Sequence, residues 1–417
     1  MADVETRSED KVKADVVIAG AGPAGRWLGA QLALCGVSVV LVDPGLDGEW
    51  PNSYGVWLDE VAELLPQRCF ARTWEEVAVH LGQPLILKRG YGRLHNHRFR
   101  RWLDEILNAR GARLVGRKVL GVSVEEGAAV VDCDGGVEIE ATVVVDATGG
   151  KAGLASPVDD TDVAFQRAYG MVACFDGDPL EGMGMVLMDY RPADNHIEGV
   201  PSFLYGMHLG GDRYFVEETV LVGPRTVGFE LLRRRLFRRL RALGVRRKEK
   251  ILEEERCHIP MGTTLPEIQG PLFAFGASAG LVHPATGYQM GRMLRAAPAV
   301  AAAVAHGLER RQPGDEIARQ AWDVLWPPDV RRARRLLIFG REVLRHLERQ
   351  QLCRFFETFF GLPAGDWRDY LCGEANYRRL SRIMWRLFGR LDTKLRWSLA
   401  RRAVVDRRRL MAAMGPV

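Results

Sequence analysis

The chain predicts an α/β architecture: a Rossmann-type dinucleotide-binding domain, an inserted β-rich substrate domain and a helical C-terminal region. Three patterns lead to it. A continuous apolar run at 15–20 passes through a Gly-rich turn into a helical period. Four alternating segments crowd residues 163–222, and from Glu316 onward the period is helical and Arg-rich. With 417 residues, 47% of them apolar, the chain can bury a large core and fits two connected domains. The expected division is 1–160 for the first part of the nucleotide domain, 161–250 for the β-rich domain, 251–310 for the return of the nucleotide domain, and 311–417 for a basic, membrane-facing helical region.

The elements follow in order. Residues 15–20 are a buried strand, 22–35 a helix and 37–43 a second strand, which together form one βαβ unit. A helix over 97–110 carries Phe99, Leu103, Ile106 and Leu107 on one side. Strand-like segments cover 113–125 and 128–140 with a Gly turn between them, and 142–149 is a further buried strand. The β-rich run divides into strands at 165–176, 184–190, 203–209 and 213–222. A basic helix covers 228–243, a core strand 272–276, and a helix lies near 287–308.

Composition narrows the function classes. Seven Cys are scattered, never in C-x-x-C spacing, which argues against a disulfide scaffold and against a metal site. Residues 311–417 hold 23 Lys/Arg against 12 Asp/Glu, and 231–250 hold 10 against one. Such basic regions suit an anionic partner. No nucleic-acid-binding module is recognisable, and the basic segments are rich in Leu, Phe and Trp, with Phe355, Phe356, Phe359 and Phe360 among those expected to face lipid, so a membrane surface is expected rather than nucleic acid. No apolar run reaches the roughly 18 residues of a spanning helix. The charged start, MADVETRSEDKVK, has neither the apolar stretch of a secretory signal nor the composition of a transit peptide.

Gly20-Ala21-Gly22-Pro23-Ala24-Gly25 lies between strand and helix, the context a G-x-G-x-x-G turn requires. Gly20 allows the turn, Gly22 the approach of a pyrophosphate to backbone N–H groups, and Gly25 the close packing of helix on strand. Asp43 ends the second strand, where a carboxylate takes ribose hydroxyls. FAD is the expected dinucleotide. The strand at 142–149, T-V-V-V-D-A-T-G, resembles one that recurs in hydroxylase-like flavoproteins. Gly276-Ala277-Ser278-Ala279-Gly280, followed by His283 and Gly287, resembles their second flavin loop. Ala277 replaces the usual ribityl-binding Asp, so backbone groups or Ser278 must serve.

The segment 213–222 contains Phe215-Val216-Glu217-Glu218-Thr219. Alternation puts Glu217 with Phe215 and Thr219 on one face and Glu218 on the other. A carboxyl on an aromatic face is desolvated and holds its proton to higher pH. A solvated pair of acids on an edge strand satisfies the same pattern.

From about residue 14 to about 372 the sequence resembles the plant-type lycopene β/ε-cyclases, relatives of capsanthin–capsorubin synthase. The matching segments are W-P-N-S-Y-G-V-W (50–57), F-Q-R-A-Y-G (165–170), M-D-Y (188–190), F-L-Y (203–205), F-V-E-E-T (215–219), E-R-C-H-I-P-M-G (255–262), A-G-L-V-H-P-A-T-G-Y (279–288) and R-F-F-E-T-F-F (354–360). This chain has Val216 where the family usually has Leu, and Ser53 where it more often has Asn.

The resemblance implies proton-initiated cyclisation of a linear carotene (lycopene) end group to a β or ε ring, an isomerisation with no net redox change. It implies Glu217 as proton donor, with Glu218 second; the cation of such a reaction needs aromatic faces, for which Tyr54, Trp57, Tyr205 and Phe215 are candidates, and ordinary core packing accounts for the same rings. It also implies reduced FAD that is required but not consumed, with NADPH as the source of reductant. His283 and the helix residues Arg98 and Arg101 are further candidates for the flavin region; a packed, hydrogen-bonded histidine and a solvated helix face account for the same residues. Attachment to an anionic membrane surface on the cytoplasmic side is expected, along with contact with other carotenoid enzymes. The alternatives are a flavin-dependent prenyl or carotenoid oxidoreductase and a non-catalytic flavin-binding membrane-surface protein.

Overall fold

The structure is a computed structural model that describes residues 12–125, 128–149, 153–154, 163–192, 199–248 and 250–405. Its first sheet has seven strands. Val12–Ala19 lies between Val39–Val42 and Val137–Asp146, all parallel, and Arg113–Val115 adds to the outer edge of Val39–Val42. The far edge of Val137–Asp146 is shared: Leu272–Ala274 pairs in parallel with its C-terminal end, and the antiparallel Ala128–Cys133 pairs with its N-terminal half. Val119–Glu125 closes that side. Val16, Val17 and Ile18 have no exposed surface, as expected of a strand covered on both faces. Each such side chain contributes about 1.5–3 kcal/mol relative to exposure. Helices Pro23–Leu34, Met290–Glu309 and Gly314–Leu325 pack in this same core, and Trp27 Nε1 donates to Leu294 O at 2.9 Å.

The expected segment 113–125 is two strands on opposite sides of the sheet, and the expected 128–140 is broken by the turn Asp134–Gly136. The Gly turn placed between those segments lies outside the described residues.

The second sheet has eight strands. Four of them, Ala164–Asp176, Met185–Asp189, Phe203–Gly210 and Arg213–Gly223, match the alternating segments closely. The sheet also takes in Val77–His80, Pro84–Leu87 and Glu253–Met261, which lie outside the 161–250 span. A small third sheet joins Gly55–Trp57, Tyr91–Leu94 and Phe70–Trp74.

One face of the second sheet carries the helix Phe229–Ala242, packed through Leu232, Leu236 and Leu240. The other face is roofed by the C-terminal helices Pro328–Arg345, Arg349–Phe360 and Ala364–Cys372. Arg341 Nη1 donates to Met261 O at 2.7 Å and fastens that roof to the sheet. Phe355, Phe356, Phe359 and Phe360 are buried beneath it rather than turned to lipid. A cavity wall and a bilayer are both apolar, so hydrophobic periodicity does not distinguish them.

Candidate active site

A cavity of about 250 Å³ lies between the second sheet, the helical roof and the loop that precedes Met290. The strand Arg213–Gly223 contributes Phe215, Glu217, Thr219 and Leu221 by its period of two. Tyr54, Tyr91, Tyr205 and the four roof phenylalanines supply aromatic walls, and Thr286–Met290 supply the side nearest the first sheet. Trp57 lies outside this lining. It is buried against Tyr91, and the Arg89 guanidinium sits 4.4 Å from its ring centroid, so that ring face already holds a cation.

Glu217 is 7% exposed. Its Oε1 accepts from Thr219 Oγ1 at 2.6 Å. Burial, reinforced by the nearby charge of Glu255, pushes its carboxyl up to about 8. The carboxyl therefore carries its proton at neutral pH.

Glu255 and Cys257 complete the cluster. The acid oxygens of Glu217 and Glu255 and the Cys257 sulfur lie within 4.8 Å of one another. Burial raises Glu255 as well, but Cys257 Sγ donates to it at 2.9 Å and Ser53 N donates at 3.0 Å, and both bonds favour the ionised form. Burial next to the two acids pushes the Cys257 thiol well above its ordinary range. Sequence reasoning quoted Glu255 and Cys257 in a motif without giving either a role. The available signal was the period of two, which puts Glu255 and Cys257 on one face of a strand.

Glu218, one residue along, is not part of the cavity. It is 1% exposed on the opposite face of the sheet. Arg239 Nε and Nη2 donate to its two oxygens at 2.9 and 3.1 Å, and Ser202 Oγ donates at 2.7 Å. Arg235 donates to the same serine at 3.0 Å. Glu218 thus anchors the Arg-rich helix to the sheet.

The Gly-rich turn fits a dinucleotide. Gly20 has φ +103°, and a side chain on Gly25 would collide with the Gly20 carbonyl. A Cβ on Gly22 would meet nothing within 4 Å, which leaves the approach to the helix open. The helix Pro23–Leu34 has no side-chain cap, so its first N–H groups remain for an anion. Asp43 Oδ2 accepts from Ala21 N at 2.8 Å and Oδ1 from Gly45 N at 2.7 Å. These bonds fix the carboxylate, and each oxygen keeps a lone pair for a ribose hydroxyl.

The second loop is tied to the first sheet. Ser278 Oγ accepts from Gly149 N at 3.1 Å and donates to buried Asp146 at 3.2 Å, so it braces the loop against the first sheet. Gly276 and Gly287 both have positive φ, and a side chain on Gly287 would overlap Gln166 from the second sheet. His283 accepts from Ala285 N at Nδ1 and donates from Nε2 to Tyr370 O at 3.0 Å. Burial lowers it to about 3, so it is a neutral tie between loop and roof. Arg98 is exposed, and Arg101 is exposed and paired with Glu105.

Comparison with known proteins adds to this geometry. The model of the lycopene cyclase protein family matches residues 15–396. The chain is 36% identical to the chloroplastic lycopene beta cyclase of an Oncidium hybrid cultivar, over 94% of this chain and 84% of that one. It is 36% identical to the Arabidopsis thaliana lycopene beta cyclase, over 86% and 74%. To the capsanthin/capsorubin synthase of Citrus sinensis it is 33% identical, over 96% and 82%. Among solved structures it resembles a geranylgeranyl bacteriochlorophyll reductase-like protein from Thermoplasma acidophilum (TM-score 0.68, 16% identity, 91% of this chain and 100% of that one). An anhydrotetracycline hydroxylase from Streptomyces rimosus matches at TM-score 0.63 and 17% identity, over 87% and 76%. At these identities the solved structures speak for the fold.

Proposed function

The chain belongs to the lycopene cyclase family, and we propose that it closes the linear end group of lycopene into a β ring, with Glu217 as the proton donor. The observation that carries this reading is a buried carboxyl, raised by its burial, in an aromatic-walled cavity beside a dinucleotide-binding fold. Glu217 gives its proton to C2 of the terminal double bond, leaving a tertiary cation at C1. The C5–C6 double bond attacks C1, the charge moves to C5, and loss of the C6 proton gives the β ring. Nothing is oxidised or reduced overall, so the reaction is an isomerisation.

The cavity performs three tasks. Its apolar roof excludes water, which otherwise traps the cation as an alcohol. Tyr54, Tyr205 and Phe215 line the cavity, and such rings attract a cation by about 0.5–2 kcal/mol each, although Phe215 also meets Arg93, 5.6 Å from its ring centroid. Thr219 holds Glu217 in place through its hydroxyl. FAD is the dinucleotide proposed for the turn at Gly20–Gly25, with Asp43 on its ribose and the loop at Gly276 and Gly287 alongside. Bound there in its reduced form, with NADPH as the source of reductant, FAD would supply negative charge that stabilises a cation.

The substrate is a hydrocarbon that dissolves in lipid, and the surface suits collection from a bilayer. Among the described residues no helix is long and apolar enough to cross a membrane. Trp385 and Trp397 are each 73% exposed on the last two helices, among exposed Arg378, Arg382, Arg390 and Lys394. Exposed indoles among cations suit the interface of an anionic membrane. Attachment there also places the enzyme within reach of other carotenoid enzymes.

Expression in a lycopene-accumulating bacterium with pigment analysis tests the reading. Cyclic carotene is expected from the wild type and linear carotene from Glu217→Gln. Unchanged pigment with the wild type, or a carotene of altered saturation, contradicts it. In a second assay, flavin reduced once under anaerobic conditions is expected to support many turnovers. Consumption of one reductant per ring excludes the isomerisation.

A further inference from the structure

The strand Ala164–Asp176 runs between Arg213–Gly223 and Glu253–Met261, and Gly170 pairs with Glu217 on one side and with Glu255 on the other. Neighbouring strands are about 4.8 Å apart, so side chains two strands away are ordinarily separated by the one between them. Gly170 places no side chain there, and the two carboxyls meet across the gap. A Cβ at this position would lie 3.2 Å from the Glu217 Cβ and 3.1 Å from the Phe215 ring. Two residues earlier, Ala168 pairs in the same way with Thr219 and Cys257, which hydrogen-bond Glu217 and Glu255 respectively.

The two acids have different surroundings. Glu217 has one hydroxyl donor, Thr219, and otherwise meets Glu255, Cys257 and aromatic rings. Glu255 faces a set of groups that favour its anion: the Cys257 thiol on its own strand, the Ser53 N–H, and Arg93 on Tyr91–Leu94. Arg93 is held by Ser53 Oγ at 3.1 Å and Glu253 at 2.9 Å. The other ionisable groups that face Glu255 are Glu217 itself and the phenols of Tyr54 and Tyr205, which burial keeps protonated. Burial raises both acids, but only Glu255 has these opposing bonds and charge, so a proton shared by the pair is favoured on Glu217.

Cyclisation needs a proton acceptor as well as a donor. C2 gains a proton and C6 loses one, and both carbons are bonded to C1, so the acceptor must stand close to the donor. We infer that Glu255 is the catalytic base that takes the C6 proton, and that Gly170 is the gap across which the pair resets. This rests on the cyclase reading above. In the forward step the Glu217 O–H bond breaks and a C2–H bond forms. In the last step the C6–H bond breaks, its electrons become the C5–C6 double bond, and a Glu255 O–H bond forms. The proton then crosses from Glu255 to Glu217, and no oxidant or reductant takes part.

The test uses the purified, flavin-loaded full chain with lycopene in phosphatidylcholine vesicles and measures rate against pH. The wild type is expected to show two limbs. Rate falls at high pH as Glu217 loses its proton and at low pH as Glu255 gains one. Glu255→Gln is expected to keep its flavin, to lose about 10²-fold or more in rate, and to lack the acidic limb. A variant within about threefold of the wild-type rate overturns the inference. So does a variant that is slow yet keeps both limbs, or a wild type with no acidic limb. If Glu255→Gln fails to accumulate, Cys257→Ala decides. Removing a donor to the anion raises the pKa of Glu255, so the acidic limb is expected to move to higher pH, and a limb that stays put overturns the inference. Glu217→Gln, assayed alongside, separates the two readings. If it retains full rate, the donor assignment fails; if it is inactive while Glu255→Gln is not, only the base is lost.

Discussion

On the cavity face of the strand Arg213–Gly223, Glu217 meets a hydroxyl, a second carboxyl and aromatic rings. On the back face, Glu218 meets Arg239 and Ser202, with Arg235 behind them. Both acids are buried and adjacent in sequence. One is pushed toward its neutral form and the other is paired as an anion. The contrast shows that the face of the strand, rather than the motif itself, decides which acid holds a proton. A run of two glutamates followed by threonine is compatible with either order of roles until the sheet is built.

Substitutions can break this contrast. Glu217→Gln, which keeps the shape and removes the proton, is expected to cut ring formation by about 10²–10⁴-fold while flavin content stays close to wild type. Pigment analysis and flavin absorbance check this. Glu218→Gln is expected to act on stability instead. It leaves Arg239 buried without its counter-charge, at a cost of about 3–5 kcal/mol in denaturant unfolding. Rate per bound flavin in the folded fraction is expected to persist. A Glu218→Gln protein that is stable but inactive would reverse the two assignments.

Phe215→Leu sharpens the cavity side. Loss of one cation-facing ring is expected to cost about 0.5–2 kcal/mol in the barrier, a rate loss of roughly 2- to 30-fold. Stability against pH gives a subtler signature. The folded protein keeps the Glu217 proton up to about 8, whereas the unfolded chain releases it in the ordinary carboxyl range. Its contribution is therefore full at low pH and declines as pH rises toward 8. Glu217→Gln is expected to flatten that decline in melting curves. The smallest effect is expected at the surface: Trp385→Ala with Trp397→Ala weakens binding to anionic vesicles and leaves flavin binding unchanged, as flotation measures.

Much of this was legible in the amino-acid order. The apolar run before Gly20 and the alternation through 164–223 follow from local periodicity, and the structure places those strands within a residue or two of expectation at most ends. Glu217 was legible for the same reason, because a period of two puts it beside Phe215. The meeting of Glu217 with Glu255 was not, because it depends on the register of three strands over Gly170. The short strands Val77–His80 and Pro84–Leu87 carry too few residues to show a period. Trp57 was expected to face a cation and does so, but the cation is Arg89. The roof phenylalanines were expected at a lipid surface and instead line the cavity.

The most direct measurement is infrared spectroscopy of the protonated carboxyl band, followed with pH in the flavin-loaded protein. A band that persists at pH 7, disappears with a midpoint near 8 and is missing in Glu217→Gln but retained in Glu218→Gln is the expected result. A wild-type protein with no such band at pH 7, or a band that Glu217→Gln leaves in place, would contradict the account.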